Sequence, residues 1–168
     1  NNNNHYCIYN TVRDDNLVSL IRDVISGKEI EMIPMPIQTV NYEETEALAL
    51  NYKRLYKIRP EYGYKVKVKN FYENMDYNKD GIWKINLITK KSDLVIRLSD
   101  LISLNYNKTM NASYHKINHI MYSHSGKRFV FMHRWIGPYG KFSRMYVANS
   151  DGSNLKILAD DKMVSHYS

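Results

Sequence analysis

The sequence predicts an all-β fold built from repeated four-stranded antiparallel units, and two observations carry that reading. Three stretches share one form, a strand, a tight polar turn and a second strand: SLIRDVISGKEIEMI (19–33), IWKINLITKKSDLVI (82–96) and RMYVANSDGSNLKIL (144–158). Their turns centre on Ser26-Gly27, Thr89-Lys90 and Asp151-Gly152, so the unit recurs at about 62 residues. Upstream of each hairpin lies at least one further β-favouring run, which supplies the remaining strands.

Taken in order, HYCIYNTV precedes the first hairpin, YKVKVKNFY the second and KRFVFMHRW the third. TEALALNYKRL, HKINHIMYSHSGK and MVSHYS read as strands that open successive units. A helix is the alternative for 43–55, whose composition permits one, although ALALNY also suits an inner strand. The glycines at two of the three turns supply the positive φ that a two-residue hairpin needs, and Lys90 is the imperfect copy. Four antiparallel strands per unit, repeated, make a β-propeller blade. The units run over about 5–40, 42–104 and 114–160 as a single domain, with a further strand starting at 163. Rings close with about four to eight blades. Two to three blades therefore imply a propeller fragment, or a chain that self-associates through its open blade faces.

DYNKDGIWKINL (76–87) opens like a calcium-binding loop, with Asp76, Asn78 and Asp80 alternating before Gly81. The twelfth position, where a bidentate glutamate would complete the oxygen shell, is Leu87. The stretch reads as a polar turn entering a strand.

The net charge of +7 over 168 residues admits a polyanionic partner, but no block of five or six Lys and Arg occurs, which points away from nucleic acid. No apolar run approaches the roughly 20 residues of a membrane span. A signal peptide's charged and apolar regions are not seen, so the expected location is cytoplasmic. Cys7, the single cysteine, sits in an apolar strand without a local activating partner. GPYGK (137–141) reads as a loop between strands at a ligand mouth.

YSHSGKRFVFMHRW followed by SRMYVANSDGSNLKIL resembles the blade motif of TolB-like propellers, a Ser-Pro-Asp-Gly-Lys turn and the strands after it. Ser123, Gly126 and Lys127 match that turn, while His124 and Ser125 replace its Pro and Asp. Within this group the chain is similar to oligogalacturonate lyases, through INHIMYS (His119), FMHRW (His133) and VSHYS (His166). The resemblance implies a divalent metal, typically manganese, held by His119, His133 and His166 at the central mouth. It also implies an acidic oligosaccharide as substrate, cleaved by β-elimination. Arg54 and Arg59 would pair with the uronate carboxylate. Tyr62, Tyr64 and Trp135 would contact sugar, although Trp83 and Trp135 read first as packing residues. Ala47 or Leu48 stands where His119 sits in the third unit, a departure from the pattern. His115 and His124 lie near turns and read as solvated; His5 belongs to the ragged start.

The expected function is therefore saccharide recognition, with metal-assisted elimination in an intact parent. The alternative is a non-catalytic propeller that scaffolds protein contacts, and a polyanion-binding module stands third. For Arg54 and Arg59 the structural alternative is an ion pair, to Glu61 or Asp93.

Overall fold

A backbone turn repeated three times sets the register of the chain. The computed structural model describes residues 5–69 and 76–160. Within them positions 23, 86 and 149, each 63 residues from the last, open the same turn. Asp23 donates its N–H to the Lys28 carbonyl and accepts the Gly27 N–H, at 3.0 and 2.9 Å. Asn86 repeats this with Lys91 and Lys90, at 2.9 and 2.8 Å. Asn149 closes one residue sooner, on Ser153 and Gly152. The side chains of Asp23 and Asn86 also accept the next turn N–H groups, those of Ile25 and Ser26 and of Ile88 and Thr89. This local bonding is why Asp and Asn favour such positions.

The residue that closes each turn is left-handed, with φ of +69° at Gly27, +62° at Lys90 and +85° at Gly152. A lysine there costs about 1–2 kcal/mol. Lys90 offsets part of that through an ion pair with Glu31, at 2.7 Å. Gly152 has a second constraint, since an added Cβ would lie 2.2 Å from the Val95 carbonyl oxygen.

The turns join strands into three antiparallel sheets. The first has the order β1 (Tyr6–Arg13), β2 (Asn16–Asp23), β3 (Glu29–Ile33). The second has β4 (Ile37–Val40), β5 (Glu46–Leu50), β6 (Gly81–Asn86) and β7 (Ser92–Arg97), again in chain order. The third runs β8 (Tyr114–Tyr122), β9 (Arg128–Gly137), β10 (Gly140–Asn149) and β11 (Lys156–Ala159). Aligned on the repeated turn, β1, β2 and β3 correspond to β5, β6 and β7 and to β9, β10 and β11. The first sheet has no counterpart of β4 or β8 among the described residues. An insertion carrying α1 (Tyr52–Ile58) separates β5 from β6, and α2 (Leu98–Ser103) follows β7. No helix among the described residues is long and apolar enough to cross a membrane.

Three expectations change. The first unit ends before residue 37, because β4 pairs with β5 and so opens the second sheet. The stretch read as either strand or helix is both: Glu46–Leu50 is a strand, and Asn51 then caps a helix by accepting the N–H groups of Lys53 and Arg54. Residues 64–69 of YKVKVKNFY form no strand. They run as a loop whose Lys69 N–H donates to the Asp15 carbonyl beside the β1–β2 turn, at 2.7 Å. The remainder of that stretch, like MVSHYS, lies outside the described residues.

The second sheet is covered on both faces, and β5 shows how. Its alternating EALAL sends Ala47 and Ala49 toward the first sheet, into a cluster of that sheet's Ile33 with Ile37 and Ile85 of their own. Leu48 and Leu50 point the other way, into a larger core with Ile82, Ile96, Ile117, Phe129, Phe131 and Tyr146. A strand buried on both faces contains no polar alternation. Small residues on one side and large ones on the other let the sheets pack at different depths.

Candidate functional site

Asn10 of β1 stitches the first two sheets together. Its Oδ1 accepts the Ser19 hydroxyl at 2.6 Å and the Ile37 N–H at 2.9 Å. Its Nδ2 donates to the Ile37 carbonyl at 2.9 Å and to the Tyr64 hydroxyl oxygen at 3.2 Å. Beside this junction, between β1 and β4, opens a cleft of about 440 Å³ lined by Tyr9, Asn10, Gln38, Thr39 and Tyr64 over Ile8, Ile37 and Val40. The Tyr64 ring packs on Tyr52, centroids 5.0 Å apart. The Tyr52 hydroxyl donates to Gln38 Oε1 at 2.9 Å, and burial pushes that phenol's pKa up. The Gln38 NH₂ and the Thr39 hydroxyl bond no other described residue, so both are available to a ligand. Rings beside amide and hydroxyl groups in one cleft suit a polyhydroxylated molecule.

The other candidate residues do not gather here. Arg54 is buried, with its Nε bonded to the Asp80 carboxylate and its guanidinium 4.9 Å from the centre of the Tyr77 ring. Asn51 Nδ2 donates to the same carboxylate at 2.9 Å. This is a structural ion pair, so Arg54 does not present its fork to a substrate, and Asp80 is committed to it. Arg59 pairs with Glu61 and lies over Tyr62, at 5.2 Å from the ring centre. Tyr62 is exposed and meets His119 edge-on, with centroids 6.1 Å apart. Trp135 is fully buried. Its indole N–H donates to Thr109 Oγ1 at 3.1 Å and its ring stacks on Phe142 at 5.6 Å, leaving no face for a sugar.

The histidines pair differently from the expectation. His119 sits in a β-bulge of β8 with φ of +52°, which turns it out of the strand's alternation. His133 meets His115 instead, Nε2 to Nδ1, at 2.9 Å, with the rings stacked. His115, read as solvated, is 2% exposed because β8 already begins at Tyr114. Its Nε2 lies 3.4 Å from the Met110 carbonyl. That contact makes Nε2 the donor and Nδ1 the acceptor, so His133 carries its proton on Nε2. His133 Nδ1 is then a bare acceptor, and it has no hydrogen-bond partner among the described residues. Burial drives both rings toward neutrality: His115 down to about 4, and His133 well below the ordinary value with His115 and Arg144 adding to the effect.

His133 has turned Nε2 to His115, and among the described residues no group of three or more His, Cys, Asp or Glu is placed to hold an ion. His166 lies outside the described residues. The signal for His115 was present as HxI facing HxW across β8 and β9, a pattern that puts both rings on the core side. Comparison with protein-family models, with curated proteins and with solved structures finds no match for this chain.

Proposed function

We propose that this chain supplies consecutive blades of a β-propeller and recognises a saccharide in the cleft between β1 and β4. One observation carries the reading: the cleft combines Tyr9 and Tyr64 with the uncommitted Gln38 amide and Thr39 hydroxyl, the mixture that sugar hydroxyls and ring faces require. The three sheets with their 63-residue turn repeat support the blade arrangement. An acidic oligosaccharide suits the chain's positive charge. Calorimetric titration with oligogalacturonate and with a neutral oligosaccharide tests this. Saturable binding is expected, weakened about tenfold by Tyr64→Ala, the loss of roughly 1.4 kcal/mol of ring contact. Gln38→Ala should weaken it too, and should cost some stability because the buried Tyr52 hydroxyl loses its acceptor. Equal binding by both variants and the parent overturns the assignment.

We also propose self-association through the first sheet. Ile30 and Met32 of β3 are about half exposed, and the turn residues Ile25 and Ile88 project at 80% and 76% exposure. Sedimentation should show a concentration-dependent shift that Ile30→Lys/Met32→Lys abolishes. A parent chain that sediments as a monomer at every concentration rejects it.

A further inference from the structure

Among the described residues two sheets have four strands and the first has three. The repeat defines the position it lacks. Tyr6, Glu46 and Arg128 stand opposite Asp23, Asn86 and Asn149, the residues that open the repeated turn. Beyond β5 and β9 lie β4 and β8, whereas no described strand lies beyond β1. Asp14 and Asp15, both at positive φ, make the β1–β2 connection a two-residue turn, so Arg13 and Asn16 exchange ladder bonds and every second residue before Arg13 does the same. Tyr6, Ile8, Asn10 and Val12 then direct their N–H and C=O groups to the outer edge, where none bonds a described residue. With eight residues and a single charge at Arg13, β1 lacks the proline, bulge or inward charge that protects an edge strand. Its Tyr6 and Ile8 side chains are also exposed.

We propose that residues 163–168 of a second copy of this chain add to the open edge of β1 as its missing strand. Met163-Val164-Ser165-His166 repeats Met121-Tyr122-Ser123-His124, which ends β8 and enters the turn after it. There the Ser123 N–H donates to the Arg128 carbonyl at 2.8 Å, as the Asn41 N–H donates to the Glu46 carbonyl at 2.9 Å. The corresponding acceptor on β1 is the Tyr6 carbonyl, and Ser165 holds the donor's place in the sequence. Reach decides between the same chain and another. The first and third sheets lie on opposite faces of the second, about 20 Å apart when sheets stack at about 10 Å. From Ala159, the end of β11, to Met163 the backbone covers at most about 14 Å. A linker of that length carries β3 into the neighbouring sheet at β4 and no further. Strand addition of this kind rests on the self-association inferred above and names its contact. Cys7, Tyr9 and, through Leu20, Met32 share one face of the first sheet, so the open edge borders the surface assigned to that association.

The register makes the single cysteine a probe. Tyr122 pairs with Phe129 and Val40 with Ala47, and the exposed Cys7 holds the place of Phe129 and Ala47 on β1. Val164 therefore faces Cys7 in a pair without ladder bonds, whose Cα atoms lie about 4.5 Å apart, within disulfide reach. The test is mild oxidation of the Val164→Cys chain, read on a non-reducing gel beside Met163→Cys and the parent. Val164→Cys should form reducible dimers and longer head-to-tail chains. It should do so about tenfold faster than Met163→Cys, whose side chain the pleat turns to the opposite face. Peptide mapping should place the new bond between position 164 and Cys7. Ile8→Pro added to the Val164→Cys chain removes an outward N–H and leaves the β1–β2 bonds in place, so it should slow the cross-link by a similar factor. Equal rates for Val164→Cys and Met163→Cys, with sedimentation still dependent on concentration, overturn strand addition and leave self-association standing. A disulfide that closes within one chain overturns the second copy as occupant. A chain that sediments as a monomer at every concentration removes both readings.

Discussion

Replacing Asp80 with asparagine is expected to cost about 3–5 kcal/mol of folding free energy. The carboxylate and the Arg54 guanidinium are 7% and 4% exposed, so water does not compensate either group when the other is lost. Arg54 would remain between the Tyr77 and Tyr114 rings as a buried charge with its principal counter-ion neutralised. The damage extends beyond the pair. Asp80 also holds Asn51, the residue that caps α1, at 2.9 Å, whereas its backbone carbonyl, which accepts the Leu98 N–H that starts α2 at 2.8 Å, is untouched by the replacement. One residue therefore anchors the insertion against the edge of β6. Domains of this size are stable by only about 5–15 kcal/mol, so the variant should approach unfolding at ambient temperature. The companion variant Arg54→Met/Asp80→Leu, which removes both charges, should be markedly more stable than Asp80→Asn alone. Urea denaturation of the three chains gives the answer. A single-variant loss under about 1 kcal/mol, the scale of an exposed pair, would show that the pair is bystander chemistry.

The Arg54–Asp80 pair also shows where sequence reading stops. The two residues are 26 positions apart across an insertion, and no local pattern links them. The Arg59–Glu61 pair, two residues apart, was legible as an alternative from spacing alone. Turns were legible for the same reason, since Asp23, Asn86 and Asn149 act on residues within five positions of themselves. Strand identity failed where alternation lacked a partner. Lys65, Val66 and Lys67 alternate as a strand should, yet all three are exposed and Val66 donates only to the Tyr64 carbonyl. The short β4 was hidden because it is four residues long and follows Pro34 and Pro36 closely. Matching histidines by their place in a repeat assumed matching side-chain directions. A single bulge between Asn118 and Met121 cancels that for His119.

The His115–His133 pair makes stability fall as solution becomes acidic. Both rings are neutral in the fold, His115 with a pKa near 4 against 6.5 for a free imidazole. The folded state thus binds fewer protons than the unfolded chain between those values, and stability rises with pH wherever the unfolded state binds more. The contribution is complete above about pH 6.5, declines as pH drops through the window and is spent below about pH 4. For His115 alone it amounts to at most about 3 kcal/mol, since each pH unit separating the two values is worth roughly 1.4 kcal/mol. His133 is displaced in the same direction by full burial and adds to the loss. Protonating His115 also breaks the 2.9 Å contact, because its Nδ1 is the acceptor there; a proton on His133 would go to Nδ1 and leave that contact intact, but Nδ1 is buried without a partner among the described residues. Carboxylates titrate in the lower part of this window, so the informative quantity is the difference between the parent and His115→Phe/His133→Phe. That variant keeps rings against Trp135 and removes the titration. Its urea midpoint should hold steadier from about pH 6.5 to 4 while the parent's declines. Parallel curves for the two chains would mean that the histidines titrate alike folded and unfolded, and that their burial carries no pH dependence.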